Sequence, residues 1–388
     1  MAESGIRSRR DQSGGTDGND GSGGDGSGVR IGVIGCGHWG RNLVRNFHEM
    51  GRLAAVSDID PETARTYSDQ YRIPALTTAE MLARPGIGAV AIATPAEDHF
   101  QVAHQALSAG RHVFVEKPLA VTNAEADSLV AAAQTAGRVL MVGHVLRFHT
   151  GFRCLLQMVE DGAIGRIRHV HTIRAARWVD RRSENALWGF APHDISMILA
   201  LLGEMPARVI AHGDFAPGRR GADVAIAGLD FPSGVKAHLF MSWFHPAKEQ
   251  KLVVTGETGV IVFDDCMPWN RKLVIFRHGT GEPPPEGDGE PVAIVPIEPL
   301  RAECEHFVSC ASGGTVPLSD GTEGVAVIRV LRAMTESMAT GSPADPVRAR
   351  IAPTGPEGPD GPSGVSGSTR DTETSRPADP AGHAGILN

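Results

Sequence analysis

Three short stretches of the chain carry side chains suited to chemistry: GCGHWG at residues 35–40, EKP at 116–118 and PHD at 192–194. In the first, Gly35, Gly37 and Gly40 fit the pattern G-x-G-x-x-G between a strand-forming run, RIGVIG, and a helix-forming one, RNLVRNFHEM. At such a junction the glycines allow a tight turn, close approach of a pyrophosphate and helix–strand contact, while the helix N-terminus attracts the anion. His38 and Trp39 lie within this loop and are placed with it at a cofactor. Asp58 falls near the end of the next apolar run, LAAVSDID. An acid there accepts hydrogen bonds from the adenine ribose hydroxyls and repels a 2′-phosphate, so NAD is expected in preference to NADP. Neighbouring Asp60 reads as the N-cap of a helix begun by Pro61.

Thr94 and Pro95, in ATPAEDHF, fall at the carboxyl end of a further strand, where parallel sheets bind ligands. His99 has two readings, a contact to the nicotinamide ribose or a plain helix-start residue. Glu116 and Lys117 end the run VFVEKP. A lysine there can hydrogen-bond a substrate hydroxyl and lower the cost of its alkoxide, or be no more than a solvated strand end. In LWGFAPHDISMILALLG, Pro192 and Asp194 read as helix-start chemistry, because proline lacks a donor that would be orphaned there and an acid meets the positive dipole end. His193 has no such stabilising role; a helix N-terminus drives its imidazole toward the neutral form, which suits a base.

Other groups are ambiguous by residue type alone. Arg147 in LRFH is placed at the border of the nicotinamide pocket. Arg177, Trp178, Arg181, Arg182 and Asn185, in RAARWVDRRSENALW, read as a solvated loop or as groups that recognise sugar hydroxyls or a phosphate. Cys304, His306 and Cys310 in ECEHFVSC do not share a helix face as a ligand set would, so the stretch is assigned to a core helix and no metal is expected.

These groups need elements to hold them. With 388 residues, 41% hydrophobic and 21% charged, the chain has room for two domains with real cores. From 29 to 149, short Val/Ile/Ala-rich strands alternate with helices, which predicts an α/β, doubly wound Rossmann domain. From 150 to 341 the strands RIRHVHTIRAAR, ARVIAHGDF, DVAIAGLDF, GVKAHLFMSWF, KLVVTGETGVIVFD and RKLVIFR follow one another with few helices between. That predicts an α+β domain with a large, mostly antiparallel open sheet, closed by a helix from Gly324 to Met338. Residues 1–28 and 342–388 are rich in Gly, Ser, Asp, Pro and Thr and are expected to be disordered tails.

The net charge of −8 is modest, and no basic run is interleaved with aromatics, so nucleic acid is not an expected partner. Five scattered cysteines without a Cys-x-x-Cys pair fit a reduced, cytoplasmic protein. The early SRR is not followed by an apolar segment, and no window approaches the roughly 18 apolar residues of a membrane span.

GVIGCGHWGRNLVRNF, ATPAEDH, VFVEKPLA, MVGHVLRFH and LWGFAPHDISM, in this order, resemble the glucose-fructose oxidoreductase, inositol dehydrogenase and rhizopine catabolism protein (Gfo/Idh/MocA) family, from about Val29 to Ala339. The resemblance implies that Lys117 and His193 handle a substrate hydroxyl, His193 as general base. Many members carry an Asp four residues before the histidine, where this chain has Gly189. The orienting carboxylate is therefore missing from its usual place, and Asp194 or the substrate is expected to fix the imidazole. Gly189 also leaves space for a bulkier sugar. The implied function is NAD-dependent oxidation of a ring secondary alcohol on a sugar, sugar derivative or cyclitol, or the reverse, with Trp178, Asn185, His193, Asp194 and Lys117 at the substrate. A GC-rich bacterial source, suggested by the Ala/Arg/Gly content, would fit antibiotic or glycan biosynthesis. The expected assembly is a homodimer or homotetramer through the second sheet. Two rivals remain open on the sequence: a sugar–sugar oxidoreductase that keeps its nucleotide, and a catalytically silent nucleotide-binding sensor.

Overall fold

The computed structural model describes residues 28–177, 185–214, 221–313 and 315–347. The first part of the chain runs β1 (Ile31–Ile34), α1 (Gly40–Glu49), β2 (Leu53–Ser57), α2 (Pro61–Tyr71), α3 (Thr78–Ala83), β3 (Ala89–Ile92), α4 (Ala96–Ser108), β4 (His112–Glu116), α5 (Asn123–Ala136) and β5 (Leu140–Gly143). All five strands pair in parallel, in the order β2-β1-β3-β4-β5. The strands are buried on both faces, which is why they are unbroken apolar runs instead of alternating ones. Asp60 caps α2 from both carboxylate oxygens, and Thr77 and Thr122 start α3 and α5 with capping boxes.

A 3-10 turn (Val145–Phe148) leads into α6 (Thr150–Glu160), β6 (Ile167–Ala175), α7 (Ala186–Leu202), β7 (Arg208–Asp214), β8 (Val224–Asp230), β9 (Lys236–Ser242), β10 (Glu249–Gly256) and β11 (Gly259–Asp264). After a second 3-10 turn (Trp269–Arg271) come β12 (Leu273–Arg277), β13 (Glu290–Pro291), α8 (Pro299–Ala311) and α9 (Gly321–Thr340). The second sheet has eight strands in the order β13-β12-β11-β10-β6-β9-β8-β7, antiparallel except where β6 meets β9. The run KLVVTGETGVIVFD, read from sequence as one strand, is a hairpin: β10 ends at Gly256 and β11 begins at Gly259. The closing helix is longer than expected at both ends. Residues 342–347, assigned to the tail from sequence, include Ala344, which exchanges two 2.8 Å backbone bonds with Val209 of β7. The rest of both tails lies outside the described residues, among which no helix is long and apolar enough to cross a membrane.

The start of α7 also departs from expectation. Asn185 is its N-cap, accepting from the Trp188 amide at 3.0 Å, so Pro192 sits inside the helix and not at its first turn. An interior proline removes a backbone bond and costs about 3 kcal/mol or more. The two turns before it are held by the cap and by complete burial of Ala186, Leu187, Gly189 and Ala191. Asn185 is therefore occupied as a helix cap.

Each face of the first sheet has its own core. One face packs on α4 and α5 through Val90, Ile92, Val113, Val115 and Val142. The other joins Ile31, Val33, Ala91, Phe114 and Met141 to α1 and to α8, which returns from the end of the chain. Phe307 of α8 meets Phe114 edge-on at 5.6 Å and Phe47 of α1 at 6.5 Å. Ser319, just before α9, bonds the backbone of Val142 in β5 through both its carbonyl and its hydroxyl.

Within α8, Glu303 is fully buried and neither carboxyl oxygen has a hydrogen-bond partner. Burial first, and then the neighbouring Glu116, push this carboxyl well above the usual carboxylate range. Such a group binds its proton more tightly folded than unfolded, so its contribution to stability is fullest below the unfolded value and drains as pH rises toward the folded one. Glu303→Gln, an amide of the same shape that cannot ionise, is expected to gain on the wild type by up to about 1.4 kcal/mol per pH unit from about pH 5 upward. Paired thermal melts across this range check it; a constant offset between the two proteins would mean that Glu303 is not held protonated.

Candidate active site

The carboxyl ends of the first sheet open onto a cavity of about 460 Å³, lined by His38, Trp39, Thr94, Pro95, His99, Glu116 and Lys117 on the first-domain side. Arg174, Gly189, Phe190, His193, Lys248 and Gln250 close it from the second domain. Another hollow of about 470 Å³, between α5 and the α8–α9 connection, contains none of the candidate cofactor or substrate residues.

The glycine loop is built as a cradle. Gly35 has φ +87°, and a Cβ there would meet the Ala93–Thr94 backbone at 2.7 Å; a Cβ at Gly40 would lie 1.9 Å from the Gly35 carbonyl. At Gly37, by contrast, a Cβ would meet nothing within 4 Å, so the space beside the loop is open where a pyrophosphate would approach. No side chain caps α1 and no acid occupies its first turn, whereas α2 to α5 all carry an acid there. Its N-terminus is thus suited to an anion. Asp58 fastens the loop from β2: its Oδ2 accepts from the Cys36 amide at 2.6 Å and its Oδ1 from the Asp60 amide at 2.9 Å. The Thr94 hydroxyl at the cavity is buried without a partner. These features fit a dinucleotide.

Glu116 and Lys117 leave β4 in different directions. The Glu116 carboxylate accepts from the Trp39 indole and lies against Gly143, where a Cβ would come within 2.8 Å of it. Burial pushes Glu116 up to about 7, against the pull of the Trp39 donor and the Lys117 ammonium. Lys117 Nζ donates to the Gly189 carbonyl at 3.3 Å, which brings it beside α7. His99 lines the cavity yet is 1% exposed, with Nδ1 2.7 Å from the Pro118 carbonyl and Nε2 2.9 Å from that of Thr94. It ties the start of α4 to the Glu-Lys-Pro turn.

His193 reaches the cavity from the third turn of α7, not from a helix end. Its imidazole is pushed well below the usual histidine value by burial, with Lys117, Arg174 and His144 adding to the shift. The neutral base therefore owes its form to enclosure and neighbouring cations, not to the helix dipole. Asp194, expected at the helix start and at the substrate, points away: it is fully buried and its Oδ1 accepts from Arg174 Nη2 at 2.8 Å and Nε at 3.1 Å. Asp194 and Asn185 do not line the cavity, and neither does Arg147, whose guanidinium lies 3.4 Å from Glu323. Arg177 is exposed, while Trp178, Arg181 and Arg182 lie outside the described residues.

Several lining groups escaped the sequence reading. Arg174 had a signal, because inward-facing positions of β6 run Val170, Thr172, Arg174, and a cation on the apolar face of an alternating strand demands a buried partner. Phe190, Lys248 and Gln250 had none, since nothing local in their stretches marks a ligand surface.

Residues 29–144 match an oxidoreductase family with an NAD-binding Rossmann fold, and residues 152–262 match the GFO/IDH/MocA C-terminal domain. The chain is 30% identical over 305 residues to a UDP-N-acetylglucosamine 3-dehydrogenase from Acidithiobacillus ferrooxidans, spanning 77% of this chain and 94% of the relative. It is 29% identical over 343 residues to inositol 2-dehydrogenase 2 of Saccharopolyspora erythraea, spanning 81% and 95%. A solved structure of the Acidithiobacillus ferrooxidans dehydrogenase superposes with a TM-score of 0.72 at 28% identity, covering 80% of this chain and 98% of that one. The aldose-aldose oxidoreductase of Caulobacter crescentus, 24% identical and covering 82% and 99%, shares the fold with a TM-score of 0.73. Two matching domains, in order, over one site of this geometry identify the chain as an oxidoreductase of the Gfo/Idh/MocA family.

Proposed function

We propose that the protein is an NAD-dependent dehydrogenase that oxidises a ring secondary alcohol of a sugar derivative or cyclitol to the ketone, or catalyses the reverse. The observation that carries this reading is the meeting of Lys117 and His193 in one cavity with the glycine loop. When bound, the nicotinamide supplies the hydride acceptor. Lys117, held against the Gly189 carbonyl, donates to the substrate oxygen and stabilises the negative charge that grows there as the C–H bond breaks. His193 takes the hydroxyl proton, for which its neutral form is the competent one. The exposed Lys248 at the cavity wall favours an anionic derivative, such as a nucleotide sugar or sugar phosphate. The Acidithiobacillus ferrooxidans relative, a UDP-N-acetylglucosamine 3-dehydrogenase by name, supports the same class.

Asp58 supports NAD over NADP, because its carboxylate stands beside the loop where a 2′-phosphate would be repelled. Asp58→Ala is expected to weaken NAD and narrow the gap to NADP, read as kcat/KM for the two nucleotides; a wild type that prefers NADP would overturn the assignment.

Lys117→Ala and His193→Ala are expected to lower kcat by about 10²–10⁴ while leaving NADH affinity nearly intact in a fluorescence titration. The wild-type acid limb of kcat/KM for alcohol oxidation is expected below pH 6.5, the ordinary histidine value, because His193 loses its lone pair only once pH falls through its depressed value. A screen of sugar nucleotides, sugar phosphates and inositols, followed as NADH formation, supplies the substrate for these measurements. No turnover on any of them, with NADH bound, would leave a nucleotide-binding sensor instead.

A further inference from the structure

The cluster behind His193 has no part in the chemistry described so far. His144 follows β5 directly, between the cavity-lining Gly143 and Val145, and is 2% exposed. Its Nδ1 lies 2.6 Å from Glu323 Oε2 on α9. The other oxygen of Glu323 takes the Ser196 hydroxyl at 2.5 Å and faces Arg147 Nη1 at 3.4 Å. Against the opposing effect of burial, His144, Arg147 and Ser196 keep this carboxyl below the usual range, so it is ionised and only accepts. Nδ1 of His144 is then its N–H, and in the neutral ring Nε2 carries the lone pair.

That Nε2 is buried without a partner, and so is Nδ1 of His193. Ser196 stands one turn after His193 on α7, so the two share a helix face. The same Glu323 that takes Ser196 also takes His144, which places the His144 ring beside the face that carries His193. The two nitrogens make no hydrogen bond to each other, and one water between them would satisfy both if one carries the proton and the other the lone pair.

We infer that His144, anchored by Glu323, is a positioning residue that accepts through one water from Nδ1 of His193 and so leaves Nε2 of His193 unprotonated toward the cavity. The proton taken from the substrate then lands on Nε2. Among the described residues, the charged and titratable groups acting on His193 are Lys117 from the end of β4, Arg174 from β6 and His144; His144 itself meets Glu323 from α9, with Arg147 behind Glu323. The inference rests on the proposed dehydrogenase reading only in naming His193 the base.

The test reads the imidazoles directly. In the full chain with ¹⁵N-labelled histidine, NMR should show His193 and His144 protonated at Nδ1 near neutral pH. His144→Ala and the near-isosteric Glu323→Gln should each release His193 into a mixture of tautomers and shift its titration midpoint. Both variants should lower kcat by about tenfold or more with KM for NAD within about twofold, and free imidazole should restore part of the rate of His144→Ala. An unchanged His193 tautomer and midpoint in folded Glu323→Gln or His144→Ala would overturn the inference. If those NMR changes occur but the wild type turns over no substrate, the dehydrogenase reading fails and this one stands.

Discussion

The burial of α7 on nearly all sides is the constraint from which the site follows. A helix this apolar must be covered by the second sheet on one side and by α9 and the turn after β5 on another. Covering it fixes Gly189 and His193 opposite the ends of β4 and β5, within reach of Lys117. Its one acid has to be neutralised in place, and the Arg174–Asp194 pair does so with both side chains out of water. Leaving either charge alone there would cost several kcal/mol, so β6 and α7 are locked in one register.

The same dryness sets the protonation states. Glu116 is driven up, His193 down and Glu303 far up, each with burial as the largest cause. A site so arranged carries few net charges of its own, and the field of Lys117 acts at close range in a medium that screens it weakly. Asp58, half-exposed beside the glycine loop, lies outside this dry region.

The first domain was legible because its signals are local: a glycine pattern between strand and helix, and reactive residues at strand ends. Asp58, Thr94, Glu116 and Lys117 all stand where those signals put them. The second domain misled wherever a local signal met a tertiary one. Pro192 looks like a helix start, but Asn185 caps the helix two turns earlier and burial carries it through the proline. Asp194 looks like first-turn chemistry because its partner, Arg174, lies on a different element, β6. Arg147 looks like a pocket cation because Glu323, which turns it aside, is far along the chain. His144 stood inside a quoted motif and went unread, since its meaning depends on two orphaned nitrogens that only packing reveals.

The return of α8 onto the first sheet has a consequence for how the chain is made. Phe114 and Met141, over β4 and β5, share their core with Leu300, Cys304 and Phe307, which leave the ribosome long after the five strands. Until then, part of one face of the nucleotide-binding sheet lacks its cover, and Val142 lacks the backbone partner that Ser319 provides. The nascent first domain is therefore an incomplete body with exposed apolar surface, the condition under which folding chains recruit chaperones or aggregate. Cover for this face of the nucleotide-binding sheet thus waits on a helix made nearly 160 residues after its last strand.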